Sequence, residues 1–331
     1  MDALEDIKQF TKIDREFDDI IVSVFKNLFL QGHGNLGDNF HADISKHNRD
    51  FTNTDYYYSG KLEFFHLTTI QNLLSILNER SFRLYSLHNS EDPDEYSHAG
   101  KLLRLTENEI ENRKQELYSF SFCPISELKN AAVWKEYGKD FSGAAIVFTI
   151  ENDPISWDNF HISEVKYDSA DKFDSYFNKK SEFEKKYSIS AECDLSKLMG
   201  FHKQPHWKNE KEVRLITYYP YEDYEEQLKF IKSEFRLSKG RNRVVRYIKL
   251  PLWVDNTSAY VNSDVPELSR IQILPADYFD TRPRIKIKDI LIGKNSGIEP
   301  DRYDRFRYEL QEIIQLNYGY NPNIDLNLFR E

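Results

Sequence analysis

The sequence predicts an α+β fold, on three observations. Short runs rich in β-branched and aromatic residues recur along the chain, separated by single helical patterns without the regular alternation of a doubly wound sheet. Rings are abundant, 23 Phe and 21 Tyr against 12 Gly and 2 Met, so core and clefts are expected to be built of aromatic side chains. The chain shows no internal repeat.

At 331 residues, with 40% apolar and 15% aromatic content, the chain can bury one large core or two modest ones. A net charge of −10 and a pI near 5.5 argue against a protein whose main affinity is for a nucleic-acid backbone. One local basic run, Lys239, Arg241, Arg243, Arg246 and Lys249, reads either as a strand edge guarded by cations or as a polyanion site. Cys123 and Cys193 are too few for a disulfide framework, which points to a reducing compartment. The acidic start MDALEDIKQF is unlike a signal peptide, and no apolar run reaches the roughly 18 residues of a membrane span. The expectation is a cytoplasmic protein without a membrane partner.

Over residues 3–31, Leu4, Ile7, Phe10, Ile13, Phe17, Ile20, Ile21, Val24, Phe25 and Leu28 keep a near-helical spacing, which fits one or two amphipathic helices. Gly32 then reads as a helix stop followed by a loop. GHGNLG (32–37) matches the dinucleotide pattern G-x-G-x-x-G, but a polar, turn-rich stretch follows where an apolar-striped helix is required. His33, His41 and His47 have no Cys companions and no zinc spacing, so solvated histidines are expected. Residues 1–55 therefore read as an N-terminal helical extension and linker, and residues 56–331 as the α+β domain carrying the site.

LEFFH (62–66) is a strand, and Thr68 with Gln71 forms a capping box for a helix through Leu77, striped by Ile70, Leu73, Leu74 and Leu77. His66 and Thr68 beside a helix N-terminus suit an anionic ligand group, or they serve only as caps. A second strand spans 82–86, Asp92-Pro93 marks a turn or helix start, and a long polar helix covers 94–116. Along residues 119–122, Ser119 and Ser121 face one side and Phe120 and Phe122 the other, so Ser121 points into a cleft or to solvent. Ser126 caps a helix containing Val133, Trp134 and Tyr137 that ends near Gly138, and 143–150 is a buried strand. Cys123, with no partner base, reads as structural.

A strand at 160–167 and a charged helix at 171–186 follow. His202 and His206 have a helical zinc spacing, but Pro205 between them breaks the helix, so no metal is expected. WKNEKEVRLITYY (207–219) runs from a doubly acidic start into a β-branched strand. If it is extended from Lys211, Glu210, Glu212, Arg214 and Ile216 share one side. That edge is either a solvated strand end or a site where a carboxylate steadies a developing positive charge. An acidic helix (222–234), strands at 243–250, 270–274 and 284–292, a helix at 300–316 and a turn-like tail complete the chain.

In order, the chain carries F-H-L-T-T before a helix, D-P-x-E, S-F-S, W-x-x-Y, G-x-x-I-x-F and W-x-x-E-K-E-x-R-L-I. This succession resembles a bacterial family catalogued as a domain of unknown function, with Y-H-Y-T-S, N-D-P-x-E, S-F-S, W-x-x-Y and K-E-W-R-L in the same order. The resemblance covers about residues 62–292. His66, Thr68 and Thr69 match the first piece, Asp92, Pro93 and Glu95 the second, and Ser119 and Ser121 the third. Trp134 and Tyr137 match the fourth, and Lys211, Glu212, Arg214, Leu215 and Ile216 the last. Glu91 stands where the family's Asn is usual, and Val213 replaces its Trp.

A His-bearing first strand, a Ser on a middle strand and a Glu on a later one is also similar to the layout of ADP-ribosyltransferases. That resemblance rests on three motif positions and implies a mixed, split two-sheet core with NAD as substrate and chemistry at the cleft. It makes Glu212 catalytic, holding the ribose 2′-hydroxyl and facing an oxocarbenium-like charge, with Glu210 orienting the acceptor. His66, Thr68, Ser121, Trp134, Tyr137 and Arg214 would then line the nucleotide. The function it implies is an NAD-consuming transferase acting on a protein or nucleic acid, as an intracellular toxin or phage-defence effector, with the N-terminal helices available for oligomerisation. The alternative is a non-enzymatic sensing module that binds a nucleotide or partner without turnover. A metal-dependent nuclease is disfavoured, because no carboxylate cluster or His pair stands out.

Overall fold

The computed structural model describes residues 3–25, 30–36, 39–44, 54–90, 93–167, 169–218, 233–237, 243–254 and 277–325. Its first elements are α1 (Ala3–Phe25), β1 (Leu30–Leu36), β2 (Asn39–Ile44), β3 (Glu63–Thr68), α2 (Ile70–Glu79), β4 (Ser81–Ser86), α3 (Pro93–Leu102) and α4 (Glu107–Glu116). The middle of the chain forms β5 (Leu117–Pro124), α5 (Ala131–Tyr137), β6 (Ala144–Ile150), β7 (Phe160–Glu164), α6 (Ala170–Tyr187), β8 (Ser190–Asp194) and β9 (Val213–Tyr218). β10 (Ser233–Leu237), β11 (Val244–Pro251), β12 (Ile285–Ile292), α7 (Tyr303–Tyr318) and β13 (Asn323–Asp325) follow. The fold is α+β, as the sequence predicts.

Among the described residues, the larger sheet runs β10-β11-β4-β5-β3-β6-β12-β13, with β9 also on β5 and β7 on β9. Its pairs are antiparallel except β12 with β13. β5 is the node. Residues 117–122 pair with β9, Tyr118 and Ser119 with β4, and Cys123 and Pro124 with β3. β3 and β4 therefore hold opposite ends of β5 and diverge between them, and His66 lies in that fork.

Alternation along β5 sends Phe120 and Phe122 into the main core, where the rings of Phe82 and Phe120 stack at 4.5 Å and those of Phe64 and Phe122 meet at 4.7 Å. Leu73 and Leu77 of α2 and Leu310, Ile314 and Tyr318 of α7 contribute to this cluster. On β3, Phe64 joins the main core while Phe65 packs with Val133 and Trp134 of α5 in a smaller one. A further cluster holds residues of α1, α3, α4 and α6 with Ile216 of β9. α1 enters it through Phe17, Ile21, Val24 and Phe25, one helical face by spacing. Phe17 meets Phe183 at 5.2 Å, and Phe25 meets Phe173 at 5.6 Å.

Several local expectations change. Instead of a stop and loop after Gly32, β1 and β2 form an antiparallel hairpin and β2 runs parallel to β8. Main-chain pairing with β8 supplies the partners that a polar sequence pattern does not reveal. The side chains of His33, His41 and His47 lie outside the described residues, as do Asp92 and the side chains of 93–95. The long polar helix divides: Arg104 is left-handed (φ 55°), and Thr106 restarts α4 with a capping box to Glu109. Thr69 rather than Thr68 caps α2, accepting from the Asn72 amide, and Asn130 rather than Ser126 caps α5. Ser126 lies instead in a 3-10 turn, Ile125–Glu127. The tail contributes a strand through residues 323–325, parallel to β12. The expected helix at 222–234 and strand at 270–274 lie outside the described residues, except that residue 233 begins a strand, β10.

Phe17 is fully buried. Phe17→Ala should cost about 3–5 kcal/mol of stability, the scale of deleting a buried ring, in one cooperative urea transition. A loss below about 1 kcal/mol would place α1 outside the cooperative unit.

Candidate functional site

The segment before β9 is not extended throughout. A 3-10 turn, Pro205–Glu210, ends at left-handed Lys211 (φ 47°), so strand alternation starts only after it. Glu212 is buried nonetheless, and its carboxylate lies against Arg214. Oε1 accepts from Arg214 Nε at 2.6 Å, and Oε2 accepts from Arg214 Nη2 at 3.0 Å and Lys203 Nζ at 3.3 Å. The exposed Ser121 hydroxyl lies close enough to help hold that carboxylate ionised. A carboxylate offers about four lone-pair sites, and Arg214 and Lys203 take three of them.

Burial pushes the Glu212 carboxyl up, but Arg214, Lys203 and Ser121 outweigh it and hold the group at about 2. Arg214 is 2% exposed, donates Nη1 to the Gly200 carbonyl at 2.8 Å and lies 5.3 Å over the Tyr96 ring. Lys203 spans both acids, reaching Glu210 Oε2 at 2.5 Å. Glu210 also accepts from the Tyr137 hydroxyl. The Glu212 amide donates to Tyr167 Oη at 3.2 Å. Cys123 is pushed up to about 12, by burial and then by Glu212, Glu210 and Glu127, and remains a thiol.

His66 sits half-buried in the fork, with Nδ1 3.1 Å from the Ser121 carbonyl. That carbonyl can only accept, so Nδ1 carries the proton and Nε2 is left as an acceptor. Burial lowers its pKa to about 4, against the opposing pull of the Ser121 carbonyl, and the ring is neutral at pH 7. It packs 4.8 Å from the Phe120 ring and 5.8 Å from that of Phe82. Phe120 and Ser121 point to opposite faces of β5. His66 and Glu212 therefore flank β5 on opposite faces and meet through Ser121, rather than facing each other across a shared pocket.

The structure brings Glu210, Glu212, Arg214, Ser121 and Tyr137 into one cluster, and Ser121 and Tyr137 are its exposed members. Three expectations need correction. Trp134 is fully buried, donates Nε1 to the Leu128 carbonyl at 2.7 Å and stacks on Phe141, so its ring is not presented to a ligand. Thr68 is buried at the end of β3, where its carbonyl would lie 2.3 Å from a Cβ at Gly143, and is taken up by packing. Arg214, committed to Glu212 and Gly200, reaches a ligand only through Glu212. Lys203 and Tyr167 were not visible in the sequence. A single cation nine residues upstream of an acid has no periodicity to mark it.

Residues 133–215 match the model of a family described as "Protein of unknown function (DUF2971)". The match begins at Val133 in α5 and ends in β9, and so includes Trp134, Tyr137, Glu210, Glu212 and Arg214. It supports the resemblance to a domain-of-unknown-function family over that segment. No curated protein and no solved structure matches the chain. Among the described residues, no helix is long and apolar enough to cross a membrane.

Glu212→Gln leaves the buried Arg214 charge uncompensated and should cost about 3–5 kcal/mol at neutral pH. The carboxyl sits below its ordinary 4.5 in the folded state, so its stabilisation is present above pH 5 and is lost as pH falls toward 2. Urea unfolding across pH should show wild type and variant converging over that window; a constant gap would contradict the ion-pair assignment. His66, held below its ordinary 6.5, adds a second loss as pH falls from 6.5 through about 4. His66→Asn should remove that component.

Proposed function

We propose, from the premise that residues 133–215 carry this domain of unknown function, that the chain is an NAD-consuming enzyme of the ADP-ribosyltransferase kind. The supporting observation is the joining of three motif strands through one residue. Ser121 on β5 accepts from His66 of β3 with its carbonyl, and its hydroxyl helps to hold Glu212, beside β9, ionised.

In this reading the ribose 2′-hydroxyl takes the place of the exposed Ser121 hydroxyl on Glu212. The bond from ribose C1′ to the nicotinamide nitrogen breaks, and its electron pair leaves with neutral nicotinamide. The ionised Glu212 faces the oxocarbenium-like charge left on the ribose. An acceptor nucleophile on a protein or nucleic acid attacks C1′, and its proton passes to Glu210. Tyr137 offers an exposed ring, and His66, on the other face of β5, acts only through the Ser121 carbonyl that it holds. A toxin or phage-defence setting belongs to the same proposal and rests on the resemblance alone, while a cytoplasmic location rests on the low cysteine count.

One observation favours a second reading. Arg214 occupies both oxygens of Glu212, as expected if the ion pair only shapes a site that binds a nucleotide without turnover.

Incubation of the full chain with NAD should release nicotinamide. Glu212→Gln should lower the rate about a hundred- to a thousandfold, the scale of one preorganised electrostatic contact, at a temperature where circular dichroism shows the variant folded. NAD binding without nicotinamide release would favour the second reading, and absence of both would exclude the two together.

A further inference from the structure

We propose that the outer edge of β10 pairs with β10 of a second copy of this chain, joining the two large sheets across a two-fold axis. Among the described residues β10 is the end strand of its sheet, and it pairs with β11 in unbroken register, Phe235 opposite Arg246 and Leu237 opposite Val244. Such an edge is a template for another chain unless bulges, proline or charge block it. The basic run of the sequence does not block it: Arg243 precedes β11, Arg246 and Lys249 lie on β11, and Lys239 and Arg241 lie outside the described residues. β10 itself carries one acid and one base, Glu234 and Arg236.

The direction of the main-chain groups follows from β11. The Arg246 amide donates to Asn89 Oδ1 at 2.6 Å and the Leu252 amide to the Arg80 carbonyl at 2.8 Å, both on the β4 side. Alternation then turns the main-chain groups of Val245 and Tyr247 toward β10. Their partners Arg236 and Glu234 form the hydrogen-bonded pairs, so Ser233, Phe235 and Leu237 aim N–H and C=O outward.

An antiparallel pairing of two β10 strands centred on Phe235 uses all of these groups. Phe235 meets its own copy and Ser233 meets Leu237, each pair exchanging both bonds. In that register Glu234 lies opposite Arg236 of the second copy, at the positions where side chains approach closest. The strand is complementary in charge to itself. Glu234 accepts from Tyr247 Oη at 2.8 Å and lies 3.1 Å from Lys249, whereas Arg236 lies over the Tyr85 ring and makes no ion pair among the described residues. On the opposite face, shared with Arg246, Phe235, Leu237 and Val244 are 64%, 65% and 61% exposed, and the pairing sets Phe235 beside its copy. β11 and β4 stand between β10 and β5, so the inference does not depend on the reading of Glu212.

Sedimentation velocity of the full chain, from about 1 to about 500 μM, tests it. A short edge belongs to the small end of interfaces, so a monomer–dimer equilibrium with a dissociation constant on the order of 10–100 μM is expected. Phe235→Pro removes an amide that only the dimer uses, and Arg236→Glu sets a carboxylate opposite Glu234. Both variants should stay folded by circular dichroism, and each should weaken dimerisation about tenfold or more. Mixing Arg236→Glu with Glu234→Arg should restore a dimer, because an acidic strand then faces a basic one. A monomer throughout the range would leave the edge to another partner and overturn the proposal. A dimer unchanged in both variants, or a mixture that stays monomeric, would overturn it as well.

Discussion

The buried pair of Glu212 and Arg214 is the constraint around which this part of the molecule is arranged. A guanidinium at 2% exposure needs a carboxylate in contact and hydrogen bonds for its remaining protons. Glu212 supplies the first, and the Gly200 carbonyl contributes to the second. The backbone that delivers Gly200 also carries Lys203, and the left-handed turn at Lys211 brings Glu210 and Glu212 to that same ammonium. An apolar replacement of the pair could be as stable. What the charges contribute is a carboxylate held ionised at a fixed place beside β5.

β5 turns that local pair into a larger arrangement. Its Ser121 lies beside Arg214 while Tyr118, Phe120 and Phe122 join the main core, so one strand couples a polar cluster to the main hydrophobic packing. The fork between β3 and β4 leaves Ser121 exposed, within hydrogen-bonding reach of both His66 and Glu212. A neutral imidazole lies on one face of β5 and the ionised carboxylate on the other. Arg214 is buried and Lys203 is shared with Glu210, so the side of Glu212 nearest the exposed Ser121 is the one least committed to protein donors.

The sequence by itself determined the class of the fold, the aromatic core and most elements, because period-2 and period-3.6 patterns report which face of a strand or helix is buried. It also determined that Glu212 and Arg214 share a side, and that Ser119 and Ser121 oppose Phe120 and Phe122. Only the tertiary structure decided which polar groups are consumed by packing. Trp134 and Tyr137, three apart on one helix, end as a core ring and an exposed hydroxyl. Thr68 is passed over as a cap in favour of its neighbour, and His66 is turned toward phenylalanines rather than toward Glu212. Lys203 and Tyr167 gain meaning only from partners brought in by long-range strand pairing. A side chain's chemistry is written in its own residue, whereas its burial and its charge partners are set by segments far away in the chain, and no local pattern encodes those.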